Sequence, residues 1–178
     1  MRIVSFDLSL SATGWCVSDA AVEWGVFKPP NLRDVERIDW IARQCSGWVK
    51  AAELVVMEDF SFSSNMQGTR EIAGVAYMVR HWLWRHSIPY VLVAPASLKK
   101  FIVGHGGSKN NPVTKSIVIK EVWKRWDHDT CDDNAADAIG LCYIGRALTG
   151  ERPASTDAQR DVIDALAKKY PDLPMVTA

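Results

Sequence analysis

The chain has 178 residues, of which 48% are hydrophobic and 24% are charged, and its formal net charge is zero. This length and composition are typical of one globular domain with a substantial core, and they exclude a strongly basic or strongly acidic protein. The sequence has no apolar run near 18 residues and no basic-then-apolar leader, so we expect a protein that neither spans a membrane nor is secreted.

The first half of the chain contains four predicted strands and one predicted helix. Residues 3–7, 14–18 and 22–27 are predicted to form an antiparallel meander with short turns. From residue 32 to residue 52, apolar side chains recur at helical spacing and predict an amphipathic helix. The next segment, Leu54–Glu58, is a continuous apolar run that ends on a carboxylate, which is typical of a strand covered on both faces.

The second half is predicted to be mostly helical. A polar loop at 60–68 precedes a helix at 69–84, a buried strand at 89–93 and a short helix at 96–103. A glycine-rich loop at 104–108 leads to helices at 113–126 and 133–148. This order predicts an α/β protein with a mixed five-stranded central sheet and helices on both faces. We expect this domain to cover residues 1–150, followed by a tail at 151–178 with at most one short helix near 157–169.

Charge is distributed unevenly between two adjacent segments. Residues 97–126 contain seven Lys or Arg side chains and one acid, whereas residues 127–137 contain five aspartates and no Lys or Arg. A basic segment next to an acidic one suits a site that binds phosphates beside cations. The four cysteines are widely spaced and form no C-x-x-C pair, so neither a zinc site nor a disulfide framework is predicted.

Three acidic residues occur where the surrounding pattern is apolar. Asp7 ends the first predicted strand, Glu58 ends the fourth, and Asp137 lies among alanines in the helix at 133–148. Taken singly, Asp7 also fits a residue that opens a hairpin, and Asp137 also fits the exposed side of a helix. Because charged groups are rarely buried unless they are paired or bound to metal, the three together predict a carboxylate cluster that holds a hard cation. Two Mg²⁺ ions, for which Mn²⁺ can substitute, suit such a cluster and phosphodiester hydrolysis.

The start of the last long helix offers a fourth ligand from one of two positions. Asp133 lies four residues before Asp137 and shares its helical face, while Asn134 lies three residues before it. Asp132 and Asp133 also fit helix capping, a role that is compatible with metal binding. We predict Asp133 as the fourth ligand and keep Asn134 as its rival.

Four motifs occur in order over residues 1–149: F-D-L-S-x-x-x-T-G-W, V-V-M-E-D-F, A-P-A-S-L-K-K-F-I-V-G-H-G and D-D-N-A-A-D-A-I-G-L. Together they resemble the RuvC-type crossover junction endodeoxyribonucleases, in a form more similar to phage-borne relatives. The resemblance implies a ribonuclease H-like fold, a homodimer, and metal-dependent symmetric nicking of four-way (Holliday) DNA junctions in recombination and repair. It also implies the cytoplasm of a bacterial or phage-infected host cell as the location.

The same resemblance assigns site residues by position. Asp7, Glu58 and Asp137 match three of the family's four acidic residues, but Asn134 stands where the family has an acid or a histidine. Lys115 matches a lysine that acts beside the metal site. The remaining DNA-binding candidates are basic, aromatic or polar side chains near these motifs: Lys99, Lys100, Lys109, Phe60, Phe62 and Asn65. Trp82 and Trp84 fit either dimer contacts or core packing.

Other functions fit parts of the pattern. A related nuclease could act on flaps, replication forks or RNA–DNA hybrids. The D-x-x-x-x-x-T-G spacing also resembles the phosphate loop of actin-like or sugar-kinase-like ATP-binding proteins, although no second glycine-rich phosphate motif is present. The neutral Asn134 leaves open a catalytically silent module that binds branched DNA.

Overall fold

The computed structural model describes residues 1–59 and 66–173. Within these residues, a mixed five-stranded sheet has the strand order β3-β2-β1-β4-β5. The strands are β1 (Ile3–Asp7), β2 (Thr13–Ser18), β3 (Val22–Phe27), β4 (Leu54–Glu58) and β5 (Tyr90–Val93). The first three strands are antiparallel to one another, whereas β1, β4 and β5 run parallel. The predicted α/β fold class is confirmed.

Six helices in the described residues cover the two faces of this sheet. They are α1 (Asp34–Val49), α2 (Met66–Arg85), α3 (Pro95–Val103), α4 (Lys115–Trp126), α5 (Asp133–Leu148) and α6 (Asp157–Lys169). Helices α1 and α2 pack on one face, and α3 to α6 pack on the other. None of the helices in the described parts of the chain is long and apolar enough to cross a bilayer.

The alternation of side chains along β1 divides the core between these two faces. Ile3 packs on the α5 side, while Val4 and Phe6 pack on the α1–α2 side. All three are fully buried. The parallel neighbour β4 repeats the pattern, because it too is covered on both sides, as its continuous apolar sequence predicts. Helix α5 is almost entirely buried, since it lies centrally on its face of the sheet.

The observed helix starts differ from the predicted ones by up to three residues. Helix α1 begins at Asp34 instead of residue 32, α4 at Lys115 instead of 113, and α2 at Met66 instead of 69. The apolar pattern marks the buried face of a helix, whereas its first residue depends on the backbone of the preceding segment. Arg33 and Thr114 are extended and so delay α1 and α4. The end of the loop predicted at 60–68 is helical from Met66.

The last helix, α6, packs on the same core as α3 and α5. Its Val162 and Leu166 side chains are buried there. Beyond the helix, the Tyr170 hydroxyl accepts a hydrogen bond of 3.0 Å from the backbone N–H of Leu92 in the edge strand β5. The one helix predicted after residue 150 is therefore present and is joined to the sheet by direct contacts.

Candidate active site

Two acidic residues meet because β1 and β4 are parallel neighbours. Phe6 pairs with Met57 in the register, and Asp7 and Glu58 each follow that pair. Both carboxyl groups therefore lie at the same end of the sheet. Each is only partly exposed, because each ends a buried strand.

Helix α5 brings two further acids to this end of the sheet, and Gly14 permits its close approach. Gly14 pairs with Asp7 across β1 and β2. A Cβ atom at Gly14 would lie only 1.9 Å from the backbone oxygen of Asn134 at the start of α5. Only a glycine can occupy this position without displacing the helix. The close contact sets Asp133 and Asp137 beside Asp7.

A buried hydrogen bond fixes α5 on β1. The Ser5 hydroxyl donates to the backbone oxygen of Ala138 at 2.6 Å, next in sequence to Asp137. Ser5 is completely buried, and its side chain lies on the face of β1 that packs against α5. A hydroxyl in this position holds the helix at a defined height on the sheet. Ser5 and Gly14 therefore position the acidic residues, although neither of them is acidic.

The pKa values of three acids are shifted upwards at this site. Burial, followed by repulsion from Asp137, Glu58 and Asp133, raises the pKa of Asp7 well above its usual range. Burial and the nearby Asp137 raise the pKa of Glu58 to about 7. Burial and Asp133 raise the pKa of Asp137 to about 6. These shifts show that the four acids lie within electrostatic reach of one another.

The donor set matches a hard divalent cation in its chemistry. Four carboxyl groups repel one another, and Oδ1 of Asp137 is buried without a hydrogen-bond partner. A bound cation would reduce the repulsion between the carboxyl groups and would give Oδ1 of Asp137 a partner. The side chains are not, however, in a ligating arrangement: among the described residues, no three His, Cys, Asp or Glu side chains are grouped closely enough to hold an ion. The carboxylate of Asp133 instead forms an ion pair with Lys115.

The predicted basic residues fall into two groups. Lys115 contacts Asp133, and Lys99 lies near enough to lower the pKa values of Glu58 and Asp137. Lys100 instead pairs with Asp161 of α6 at 2.9 Å, and Lys109 is exposed in the loop before α4. Of these four lysines, only Lys115 and Lys99 thus lie beside the acids. Lys99, predicted as a DNA-binding residue, lies beside two of the acids.

The structure places Asp133 and Asn134 in different surroundings. The side-chain N–H of Asn134 donates to Oδ1 of Asp132 at 3.1 Å, and the same oxygen accepts the backbone N–H of Asn134 at 2.9 Å. Asp132 is therefore the N-cap of α5, and the Asn134 amide supports the cap. Asp133 contributes to the raised pKa values of Asp7 and Asp137. Asp133 thus acts electrostatically on two of the acids, whereas the Asn134 amide is bound to Asp132.

The aromatic and amide candidates of the loop after β4, Phe60, Phe62 and Asn65, lie outside the described residues. On α2, Trp82 is partly buried against the core and stacks on His86 with a ring separation of 3.8 Å. Trp84, in contrast, is 70% exposed. Of the two tryptophans, Trp82 is a packing residue and Trp84 lies on the surface.

Comparison with known proteins gives matches to solved structures alone. No protein-family model and no curated protein sequence matches the chain. Thermus thermophilus RuvC bound to a Holliday junction substrate superposes with a TM-score of 0.65 at 17% identity, over 80% of this chain and 90% of that one. Another T. thermophilus RuvC structure gives 0.63 at 15% identity, over 96% and 97% of the two chains.

A viral resolvase shares the same architecture. The fowlpox virus resolvase, in complex with Holliday junction DNA, superposes with a TM-score of 0.53 at 14% identity, over 80% of this chain and 95% of the viral one. In these comparisons the superposition extends over most of each chain. This chain therefore has the ribonuclease H-like fold of the RuvC-type Holliday junction resolvases.

Proposed function

We propose that this protein is a metal-dependent, structure-selective DNA endonuclease that resolves four-way junctions by paired phosphodiester hydrolysis. The observation that carries the proposal is the convergence of acids from β1, β4 and α5 at one end of a RuvC-like sheet. Buried carboxyl groups that repel one another destabilise a fold, so their collection at one point indicates a functional requirement.

Asp7, Glu58 and Asp137 would hold the metal, with Asp133 as the fourth ligand. Two Mg²⁺ ions, for which Mn²⁺ can substitute, would supply the Lewis acid that activates water and stabilises charge on the departing 3′ oxygen. The protein's own contribution is to gather the carboxylates on rigid elements and to keep them partly shielded from solvent. No G-x-S-x-G motif or comparable nucleophile elbow occurs in the sequence, which agrees with direct hydrolysis by water.

Two lysines would hold the DNA phosphate at this site. Lys115 is 79% exposed and touches the acidic residues through Asp133. Its ammonium group can turn to a phosphate when a cation takes up the Asp133 carboxylate. Lys99 lies near Glu58 and Asp137. Positive charge beside the acids suits a phosphodiester placed over the carboxylates.

Paired cleavage of a four-way junction requires two active sites, so we propose a homodimer. The outer side of α2 carries large exposed apolar side chains, with Trp84 at 70%, Tyr77 at 57% and Met78 at 40% exposure. Aromatic side chains and methionine are enriched in protein interfaces. Sedimentation equilibrium tests this assignment: Trp84→Lys should shift the protein towards monomer, whereas Lys50→Gln, at the residue that follows α1, should not.

A second candidate function is a catalytically silent module that binds branched DNA. The observation that favours it is the lack of a ligating arrangement among the described acids. Incubation with a mobile four-way junction, a fork, a flap and an RNA–DNA hybrid in Mg²⁺, Mn²⁺ or Ca²⁺ separates the candidates. Paired symmetric nicks in the junction support resolution, and preferential cleavage of another substrate indicates a different nuclease. Binding of the junction without any cleavage indicates the silent module.

A further inference from the structure

The outer side of α4 carries an exposed tryptophan between lysines. Five exposed residues, which we call the α4 stripe, face away from the core: Ser116, Ile117, Lys120, Trp123 and Lys124. The opposite side of the helix is buried through Val118 and Val122. Trp123 is 56% exposed and Ile117 is 37% exposed. These two side chains therefore present apolar surface to solvent on the outer side of α4.

The charges of the α4 stripe are available to a partner. Within residues 1–59 and 66–173, Lys120 forms no ion pair, and Lys124 has only a 3.5 Å contact with Glu121, with 67% of its side chain exposed. Glu121 is also bound by Arg125 at 3.2 Å, so its negative charge is shared between two cations. The stripe is therefore positively charged, although the whole chain is neutral.

The α4 stripe begins at the end of the helix that lies nearest the acids. Helix α4 begins at Lys115, which contacts Asp133. From Ser116, the first residue of the stripe, to Lys124 the helix rises about 12 Å at 1.5 Å per residue, whereas Lys115 itself points to the other side of the helix. Lys120 and Lys124 are four residues apart and lie on one side of the helix, with Trp123 beside them. A duplex that lies along the outer side of α4, from the end nearest the acids outward, would bring its phosphates to Lys120 and then to Lys124.

We propose that the α4 stripe binds the sugar–phosphate backbone of a duplex DNA arm that leaves the active site. Lys120 and Lys124 contact phosphates, and the Trp123 ring packs against a deoxyribose between them. This inference rests on the proposed nuclease function for its substrate, but the binding surface itself uses no residue of the acidic site. The α4 stripe thus favours DNA substrates that have a duplex arm of several base pairs beside the cleaved bond. Because it contacts only the backbone, it does not distinguish between base sequences.

The salt dependence of junction binding tests this proposal. Binding of a labelled four-way junction is measured by fluorescence anisotropy in EDTA over a series of salt concentrations, for the wild type, for Lys120→Gln/Lys124→Gln and for Trp123→Ala. Each lost phosphate contact lowers the slope of log K against log salt by about 0.9, so the double variant should lose about 1.8. Trp123→Ala should weaken binding and leave the slope unchanged. Lys50→Gln, on the opposite face of the sheet, is the matched control.

The outcomes distinguish a failure of DNA binding by the α4 stripe from a failure of the proposed nuclease function. An unchanged slope in the double variant, with a thermal midpoint equal to that of the wild type, overturns the proposal. An equal loss of slope in Lys50→Gln also overturns it, because the removal of any surface lysine would then have the same effect on binding. Cleavage at saturating DNA should be unchanged in all stripe variants. If the wild-type protein cleaves none of the DNA substrates, the proposed nuclease function fails, whereas a loss of 1.8 in the slope still supports the surface.

Discussion

The substitution Gly14→Ala should disable the acidic site without touching any acid. The added Cβ would lie 1.9 Å from the backbone oxygen of Asn134, whereas ordinary contacts begin at 3.4 Å, so the start of α5 must move by about 1.5 Å. That movement carries Asp133 and Asp137 away from Asp7. A misplacement of about 1 Å can lower a rate roughly 100-fold, and overpacking costs about 1–3 kcal/mol of unfolding free energy.

The assay is single-turnover nicking of a four-way junction in Mg²⁺, together with chemical unfolding. Gly47→Ala is the matched control, because a Cβ there meets nothing within 4 Å and the residue lies inside α1. This control should keep the wild-type rate and gain about 0.5–1 kcal/mol of stability. A Gly14→Ala variant that nicks as fast as the wild type, with equal stability, would refute the role assigned to the α5 contact.

Three further predictions concern side chains around the acids. Because the pKa of Glu58 is raised from 4.5 to about 7, the folded metal-free protein binds more protons than the unfolded chain between these values. The unfolding free energy of the wild type in EDTA should therefore fall as pH rises from 4.5 to about 7. Glu58→Gln should show a smaller fall over this range. A fall of equal size in the variant would contradict this prediction. Lys115→Ala and Lys99→Gln should each slow cleavage much more than they weaken junction binding; an equal loss of both would remove these lysines from the active site. Ser5→Ala should lower the unfolding free energy by about 0.5–1.5 kcal/mol and lower kcat with little change in KM, because the carbonyl of Ala138 loses its hydrogen bond from β1 and keeps only its helical one. A wild-type kcat would contradict the positioning role.

The architecture was accessible from the sequence because its main elements have strong local patterns. The apolar run of Leu54–Glu58 has no alternation, and the structure covers β4 on both faces. Two such strands that end in acids must bring those acids together if the strands are parallel neighbours, as β1 and β4 are. The alanine-rich α5 is likewise buried as its composition suggests. These features depend on hydrophobic periodicity, which a single sequence displays directly.

The details of the candidate site depend on contacts between distant parts of the chain. The sequence shows Gly14 as a turn-like glycine, but its contact with Asn134 joins residues 120 positions apart. A glycine inside a strand is a signal for close backbone approach, and that signal was available. The bond from Ser5 to Ala138 and the pair of Lys100 with Asp161 carry no comparable sequence signal. They follow from how α5 and α6 pack.

Asp7→Asn tests the central claim most directly, because Asp7 lies beside all three other acids. Two quantities are measured on the variant and the wild type: the Mg²⁺-dependent rise in thermal midpoint, and the rate of paired nicking of a four-way junction in Mg²⁺. The variant should be at least as stable as the wild type in EDTA, since it removes a repelling carboxyl group. It should lose the stabilisation by Mg²⁺ and the paired nicks. Wild-type nicking by Asp7→Asn, or Mg²⁺ stabilisation of equal size, would contradict the assignment of these acids as a metal-dependent nuclease site.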